Sequence, residues 1–367
     1  SRGAPPPAPG DADSRDDDGA GAVTSGRPPA TGLDRGVCVL SIDTELAWGE
    51  AHRRDGTGGR HRYDAERPVI DRMLALFARH EIPATWAVVG HLFLDACADD
   101  GRGPHPELTM PDYDWLDAEW LAVDPCTSLP DAPEWYGRDI VDAIRACPVP
   151  QEIGSHSFSH VIVDDPACTP AVFDSELGAA TTLAAERGIE LRSFVYPRNK
   201  VAQVAHLADH GFRCYRGGRP TPPFAGRPAW QRRALSLADK ARPLGGSAVR
   251  PAEGDGGVWN VPQTYLFDPA SSPRVPPAVW ARRPVARLRQ AARHRSLFHL
   301  WFHPYNVTAD PDRAFAALER ICAAAARMRD DGRLDVLTMG DLAARLDAGP
   351  VSKRPDGGAP NVRVRSG

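Results

Sequence analysis

His156 and His160 stand four residues apart in IGSHSFSH, just past a short apolar run. If the chain turns helically after that run, both imidazoles point one way and can grip one ion. Asp43 and Glu45 follow another apolar run, in SIDTELAWG. On a continuing strand they share a face; on a turn, one reaches a metal while the other stands beside it. Two imidazoles and a carboxylate form a common ligand set for zinc, iron or cobalt, with positions left open for water and substrate. The spare carboxylate is what hydrolysis needs to take a proton from an activated water. A third apolar run, in LFHLWFHPYN, ends on His303, which is placed to supply the proton a departing amine requires. Each feature alone is ordinary, since His pairs recur on helix faces and loop carboxylates are mostly solvated. Their joint occurrence points to metal-dependent hydrolysis.

Three strand ends must therefore meet. GVCVLSI (Gly36 to Ile42) reads as a buried strand, Arg67 to His80 as an amphipathic helix, and ATWAVVG (Ala84 to Gly90) as a second strand, together a βαβ unit. Residues from about Asp99 to Arg138 break the rhythm with Pro, Asp and Trp, and read either as an insertion folded over the barrel mouth or as a packed surface excursion anchored by its Trp residues. The alternation resumes with a helix from Asp139 to Cys147, a strand Gln151 to Ser157 and a helix Pro170 to Arg187 stopped by Gly188. SFVYP, a helix Val201 to His210, FRCYR, VWNVP, SLFHLWFH, a helix Pro311 to Met328, DVLTM and GDLAARL complete the series, with an irregular stretch from Gly217 to Gly257. Strands alternating with helices favour one α/β barrel over an open sheet, and the polar residues gather where strands end, which in a parallel barrel is one face.

These residues are similar to the motifs of the NodB-homology polysaccharide deacetylases, carbohydrate esterase family 4, over about Gly36 to Leu346. The anchors are Ser41-Ile42-Asp43-Thr44-Glu45, His156-Ser157-Phe158-Ser159-His160, Tyr196-Pro197-Arg198-Asn199 and Trp301-Phe302-His303-Pro304. The resemblance implies a distorted (β/α) barrel of about seven parallel strands. It also implies a divalent metal, zinc first, with cobalt or another divalent ion as alternatives. Asp43 would be the general base, His303 the general acid, and His156 and His160 the histidine ligands. Family members commonly read Asp-Asp in the first motif, with the second acid on the metal. Thr44 occupies that place here, and a hydroxyl is a poor ligand, so Glu45 is expected to bind instead. The family's arginine, two residues before the motif proline, is replaced by Val195; Arg198 is the expected substitute, its backbone N–H also serving as oxyanion donor. Tyr196 and Pro197 are expected beside the substrate, Trp301 as the wall of the acyl slot, and Tyr305 and Asn306 at the mouth against the sugar. His299 reads as packing or as support for the site, and Trp259 as either a pocket wall or a core residue.

The expected activity is removal of an acyl group, acetyl above all, from the amine of an amino sugar in a glycan, glycolipid or glycoside. One alternative keeps the barrel and metal but cleaves another small-molecule or cyclic amide; another is a catalytically silent glycan-binding barrel. A net charge of −4 gives no reason to expect nucleic acid, no run of about 18 apolar residues predicts a membrane span, and no protein partner is evident. Residues 1–34 and 349–367 are expected to be a disordered leader and tail. DADSRDDDG lacks the spacing of a calcium loop. Seven scattered cysteines without a CxxC pair, and no signal peptide, point to a reducing, cytoplasmic setting.

Overall fold

The computed structural model describes residues 33–50, 63–99, 101, 103–218 and 248–349. Residues 1–32 of the expected leader, including the acidic stretch near the start, nearly all of the tail, and much of the segment between Gly217 and Gly257 lie outside the described residues.

β1 (Gly36–Thr44) is buried along its whole length, as a strand covered on both faces must be. Its side chains divide by the strand period of two. Cys38, Leu40 and Ile42 join the large core beneath the surrounding helices, whereas Val37 and Val39 join a smaller core with Ala87, Val195, Cys214, Trp259 and Leu297. The helix Glu66–His80 buries Val69, Ile70, Met73, Leu74 and Phe77 on one stripe, and the chain leaves it through Glu81 in a left-handed conformation (φ 51°). The helices Pro170–Glu186, Pro311–Asp330 and Met339–Asp347 start on Thr169, Asp310 and Thr338, whose side chains accept a hydrogen bond from a first-turn N–H.

The strands β2 (Thr85–Val88), β3 (Glu152–Ser155), β4 (Ser193–Val195) and β5 (Cys214–Arg216) add in parallel on one side of β1. β6 (Ala252–Glu253) is a short antiparallel ribbon on β7 (Trp259–Asn260). β8 (Tyr265–Leu266) pairs in parallel with β9 (Leu297–Phe302), which lies on the other side of β1, and β10 (Leu334–Val336) pairs with the first residues of β1. One continuous segment closes the ring. Trp259, Val261 and Gln263 donate to the carbonyls of Arg213, Tyr215 and Gly217 on one edge, and then Thr264 and Phe267 donate to His299 and Trp301 on the other. β1, β2, β3, β4, β5, the β7–β8 segment and β9 thus make seven parallel staves, the barrel expected from the sequence.

Closure aims the period-two positions of β1, β5 and β9 inward. Ser41, Asp43, Arg216, His299 and Trp301 continue the inward faces of Val37, Cys214 and Leu297 toward the C-terminal end of the barrel. Between β2 and β3 the chain makes a long excursion whose described residues include the short turns Gly90–Phe93 and Trp120–Val123 and a single antiparallel bridge between Ala96 and Ser128 before the helix Arg138–Arg145. Among the described residues no helix is long and apolar enough to cross a membrane.

Candidate active site

Asp43 is the penultimate residue of β1 and is almost wholly buried. Its two oxygens are gripped by both terminal nitrogens of Arg216, each at 2.5 Å. The same guanidinium reaches Ser41 Oγ at 3.0 Å and Asn199 Oδ1 at 2.9 Å. Burial alone would push the Asp43 carboxyl up, but the Arg216 and His303 charges outweigh it and hold Asp43 below the usual carboxylate range. The network continues to His299. Its Nδ1 faces the Val261 carbonyl at 3.2 Å and its Nε2 accepts from the Ser41 hydroxyl at 2.9 Å. Burial and the nearby Arg216 charge lower its pKa to about 3, so the ring stays neutral and supports Ser41.

Arg198, the expected partner of Asp43, is not that partner. Its side chain is exposed, on a turn where Arg198 and Asn199 both have positive φ (55° and 54°), and that turn offers Asn199 to Arg216 instead. Arg216 was missed because its strand ends with no motif residue after it. The available signal was an arginine two places beyond Cys214, on the inward face of an apolar strand.

The loop after β3 is not helical, so the condition under which a helical turn would align the His pair is not met. Ser157 and His160 both take left-handed backbone (φ 59° and 64°), a conformation that costs a non-glycine residue on the order of 1–3 kcal/mol unless its surroundings enforce it. Glu176 does so from the helix behind: its carboxylate accepts the N–H groups of Phe158 and Ser159 at 2.9 and 2.8 Å, and the Ser159 hydroxyl at 2.6 Å. The two imidazoles still converge, with ring centroids 5.0 Å apart.

Glu45 meets them. Its Oε2 lies 3.3 Å from His156 Nε2 and 3.0 Å from His160 Nε2, with all three residues buried. His156 Nδ1 faces the Val195 carbonyl at 2.7 Å, an atom that can only accept. In the neutral ring Nδ1 therefore carries the hydrogen, and Nε2 presents its lone pair to an anionic oxygen. Lone pair against carboxylate is unfavourable until a cation lies between them, so this donor set fits a divalent metal. Burial raises and the surrounding imidazoles lower the Glu45 pKa, and the imidazoles prevail. Among the described residues Thr44 Oγ1 is buried without a hydrogen-bond partner, and it takes no part in this ligand cluster.

His303 closes the site from β9. Its Nε2 is 3.6 Å from Asp43 Oδ2 and 3.5 Å from Glu45 Oε1. Asn306 Oδ1 accepts the His303 backbone N–H at 2.8 Å and faces Nδ1 at 3.3 Å, and Tyr305 stacks on the ring at 4.4 Å. Asn306 and Tyr305, expected at the sugar, thus orient the imidazole. Trp301 is half-buried with its ring over the Arg216 guanidinium at 4.5 Å. Tyr196 leaves the set expected at the substrate, since it is wholly buried among Phe173, Phe194 and Tyr215. Of the two readings of Trp259 the core one holds: it packs in the smaller core and its indole N–H bonds Asp347 on the C-terminal helix.

The barrel has the fold of solved structures described as polysaccharide deacetylases. A protein from Mycobacterium smegmatis described as a polysaccharide deacetylase superposes with a TM-score of 0.55 at 16% identity, over 91% of this chain and 100% of its own. Another so described, from Pseudomonas aeruginosa PAO1, gives 0.51 at 11% identity, over 85% of this chain and 91% of its own. No protein-family model and no curated protein matches the sequence. At such identities the likeness is one of fold, and in fold it bears out the resemblance carried by the four motifs.

Proposed function

We propose that the chain is a NodB-homology deacetylase and acts as a metal-dependent carbohydrate N-deacetylase, cleaving the N-acyl amide, acetyl above all, of an amino sugar. One observation carries this reading. An aspartate held ionised by a buried arginine stands with a Glu-His-His ligand set and a histidine whose Nε2 lies 3.5–3.6 Å from both carboxylates.

Glu45, His156 and His160 would hold the divalent ion, zinc first, whose contribution is Lewis acidity toward the amide carbonyl and the attacking water. Asp43, kept anionic by Arg216, accepts the proton of that water. The Arg198 backbone N–H is the proposed donor to the oxyanion. His303, set by Asn306 and Tyr305, donates from Nε2 to the leaving nitrogen, so base and acid act from adjacent strands. Trp301 walls the acyl slot, and Pro197 lines its other side. The seven free cysteines favour a reducing compartment, so a cytoplasmic substrate pool is part of the proposal.

The test is metal content paired with acetate release from N-acetyl sugars, with cyclic amides as a second panel. Asp43→Asn is expected to abolish turnover and keep the metal, whereas His156→Ala lowers metal content and turnover together. Equal metal loss in the two variants overturns the division of roles. Turnover of cyclic amides alone moves the substrate class.

A further inference from the structure

Outside this site, four potential ligand residues converge in the excursion after β2: His91, Cys97, His105 and Asp124. His91 and Asp124 are fully buried and His105 nearly so. Asp124 Oδ2 lies 3.0 Å from His91 Nε2 and 3.2 Å from His105 Nε2, and Cys97 Sγ lies 3.7 Å from His91 Nε2 and 3.5 Å from Asp124 Oδ2. Zinc at about 2.0 Å from N or O and about 2.3 Å from S, in a tetrahedron, puts its N–O edges at about 3.3 Å and its S–N and S–O edges at about 3.5 Å. The four observed separations fall within a few tenths of an ångström of those edges.

The outer atoms are already engaged. His91 Nδ1 faces the Trp135 carbonyl at 3.1 Å, which leaves the Nε2 lone pair of the neutral ring toward Asp124. His105 Nδ1 is 3.3 Å from Glu107 Oε1, and Asp124 Oδ1 accepts the Cys126 N–H at 2.9 Å. Tyr136 Oη accepts from the Thr127 N–H at 2.9 Å and lies within hydrogen-bond distance of Cys97 Sγ at 3.1 Å. A nucleophilic Cys-His-Asp triad needs thiol and carboxylate on opposite ring nitrogens. Here both lie at Nε2 of His91, a ligand arrangement.

We propose that His91, Cys97, His105 and Asp124 form a second, closed zinc site that is structural, and that it fastens the excursion to the loop bearing His156 and His160. Four protein ligands leave no open position for substrate. Gly90 and His91 donate backbone N–H groups to the carbonyls of Ser157 and Phe158 at 2.8 and 2.9 Å. The Phe158 ring lies 5.8 Å from that of His91 and 5.0 Å from that of His105. A Cβ on Gly90 would come within 2.9 Å of Phe158 Cα, so this approach needs glycine. Trp48, three residues after Glu45, packs its ring 4.6 Å from His91, so the segment carrying the remaining ligand of the first site rests on the same centre.

Cobalt separates the two sites, because only the second contains a thiolate. The full-length protein, stripped with a chelator and titrated with Co2+, is expected to show a thiolate-to-cobalt charge-transfer band. The band persists in His156→Ala/His160→Ala, where the first centre cannot form, and in Cys126→Ser. It disappears in Cys97→Ser. Absence of the band in the wild-type chain overturns the proposal, as does its survival in a folded Cys97→Ser protein. If Cys97→Ser does not fold, the wild-type and double-histidine titrations still decide, and neither depends on the deacetylase reading.

Discussion

Arg216→Met tests the electrostatic centre of the site. The Asp43–Arg216 pair is 2% and 0% exposed, bidentate, and extended by Ser41 and Asn199. Removing one partner of such a pair leaves a buried, uncompensated charge, which costs about 3–5 kcal/mol. The sign with pH follows from the direction of the Asp43 shift. Its folded pKa is depressed, so its contribution to stability is complete above the unfolded aspartate value of about 3.9 and is lost as pH falls through the folded pKa. The Arg216→Met deficit is therefore full at neutral pH and shrinks in acid, where Asp43 is protonated with or without its partner. The acid limb of kcat/KM moves to higher pH, because burial is then opposed by less positive charge. Urea unfolding of Arg216→Met, Asp43→Asn and the double variant reads the coupling. The double variant is expected to recover a large share of the loss, since removal of both charges leaves no lone buried ion. A coupling below about 0.5 kcal/mol, or an unmoved acid limb, refutes the argument. Arg198→Met, at an exposed side chain, should change stability by no more than about 0.5 kcal/mol.

Gly49 gives a second test, because a Cβ there would lie 2.2 Å from Glu45 Oε1 and must displace the carboxylate. Gly49→Ala is expected to weaken metal binding by about 10–100-fold with folding largely intact, read by competition with a chromophoric chelator; unchanged affinity would remove Glu45 from the ligand set. Tyr196 buries a hydroxyl that has no hydrogen-bond partner among the described residues. Tyr196→Phe is therefore expected to leave kcat/KM unchanged and stability equal or up to about 1 kcal/mol higher, and a drop in kcat/KM at intact stability would return the residue to the substrate.

Much of the barrel was readable because its local signals agree. Nearly continuous apolar runs such as GVCVLSI suit strands covered on both faces, and the stripe Val69, Ile70, Met73, Leu74, Phe77 suits a helix laid over them. The helix Arg282–His294 was not expected. It buries only Pro284, Val285, Leu288 and Ala291 in a chain rich in arginine, and the sparse stripe is hidden among charges. The short β8 was equally hidden, since its pairing depends on the neighbouring strand rather than on its own two residues.

The amino-acid sequence by itself determined which residue types end the strands: Asp43, Glu45, His156, His160 and His303 were each legible as an acid, a ligand or a base. Only the tertiary structure decided which guanidinium meets Asp43. Arg216 is 173 positions away along the chain and reaches it across the closed barrel, a distance in space that no local pattern encodes. Only the tertiary structure could bring His91, Cys97, His105 and Asp124 together, because their excursion has no period to read and its ligand atoms converge through left-handed turns and long-range packing.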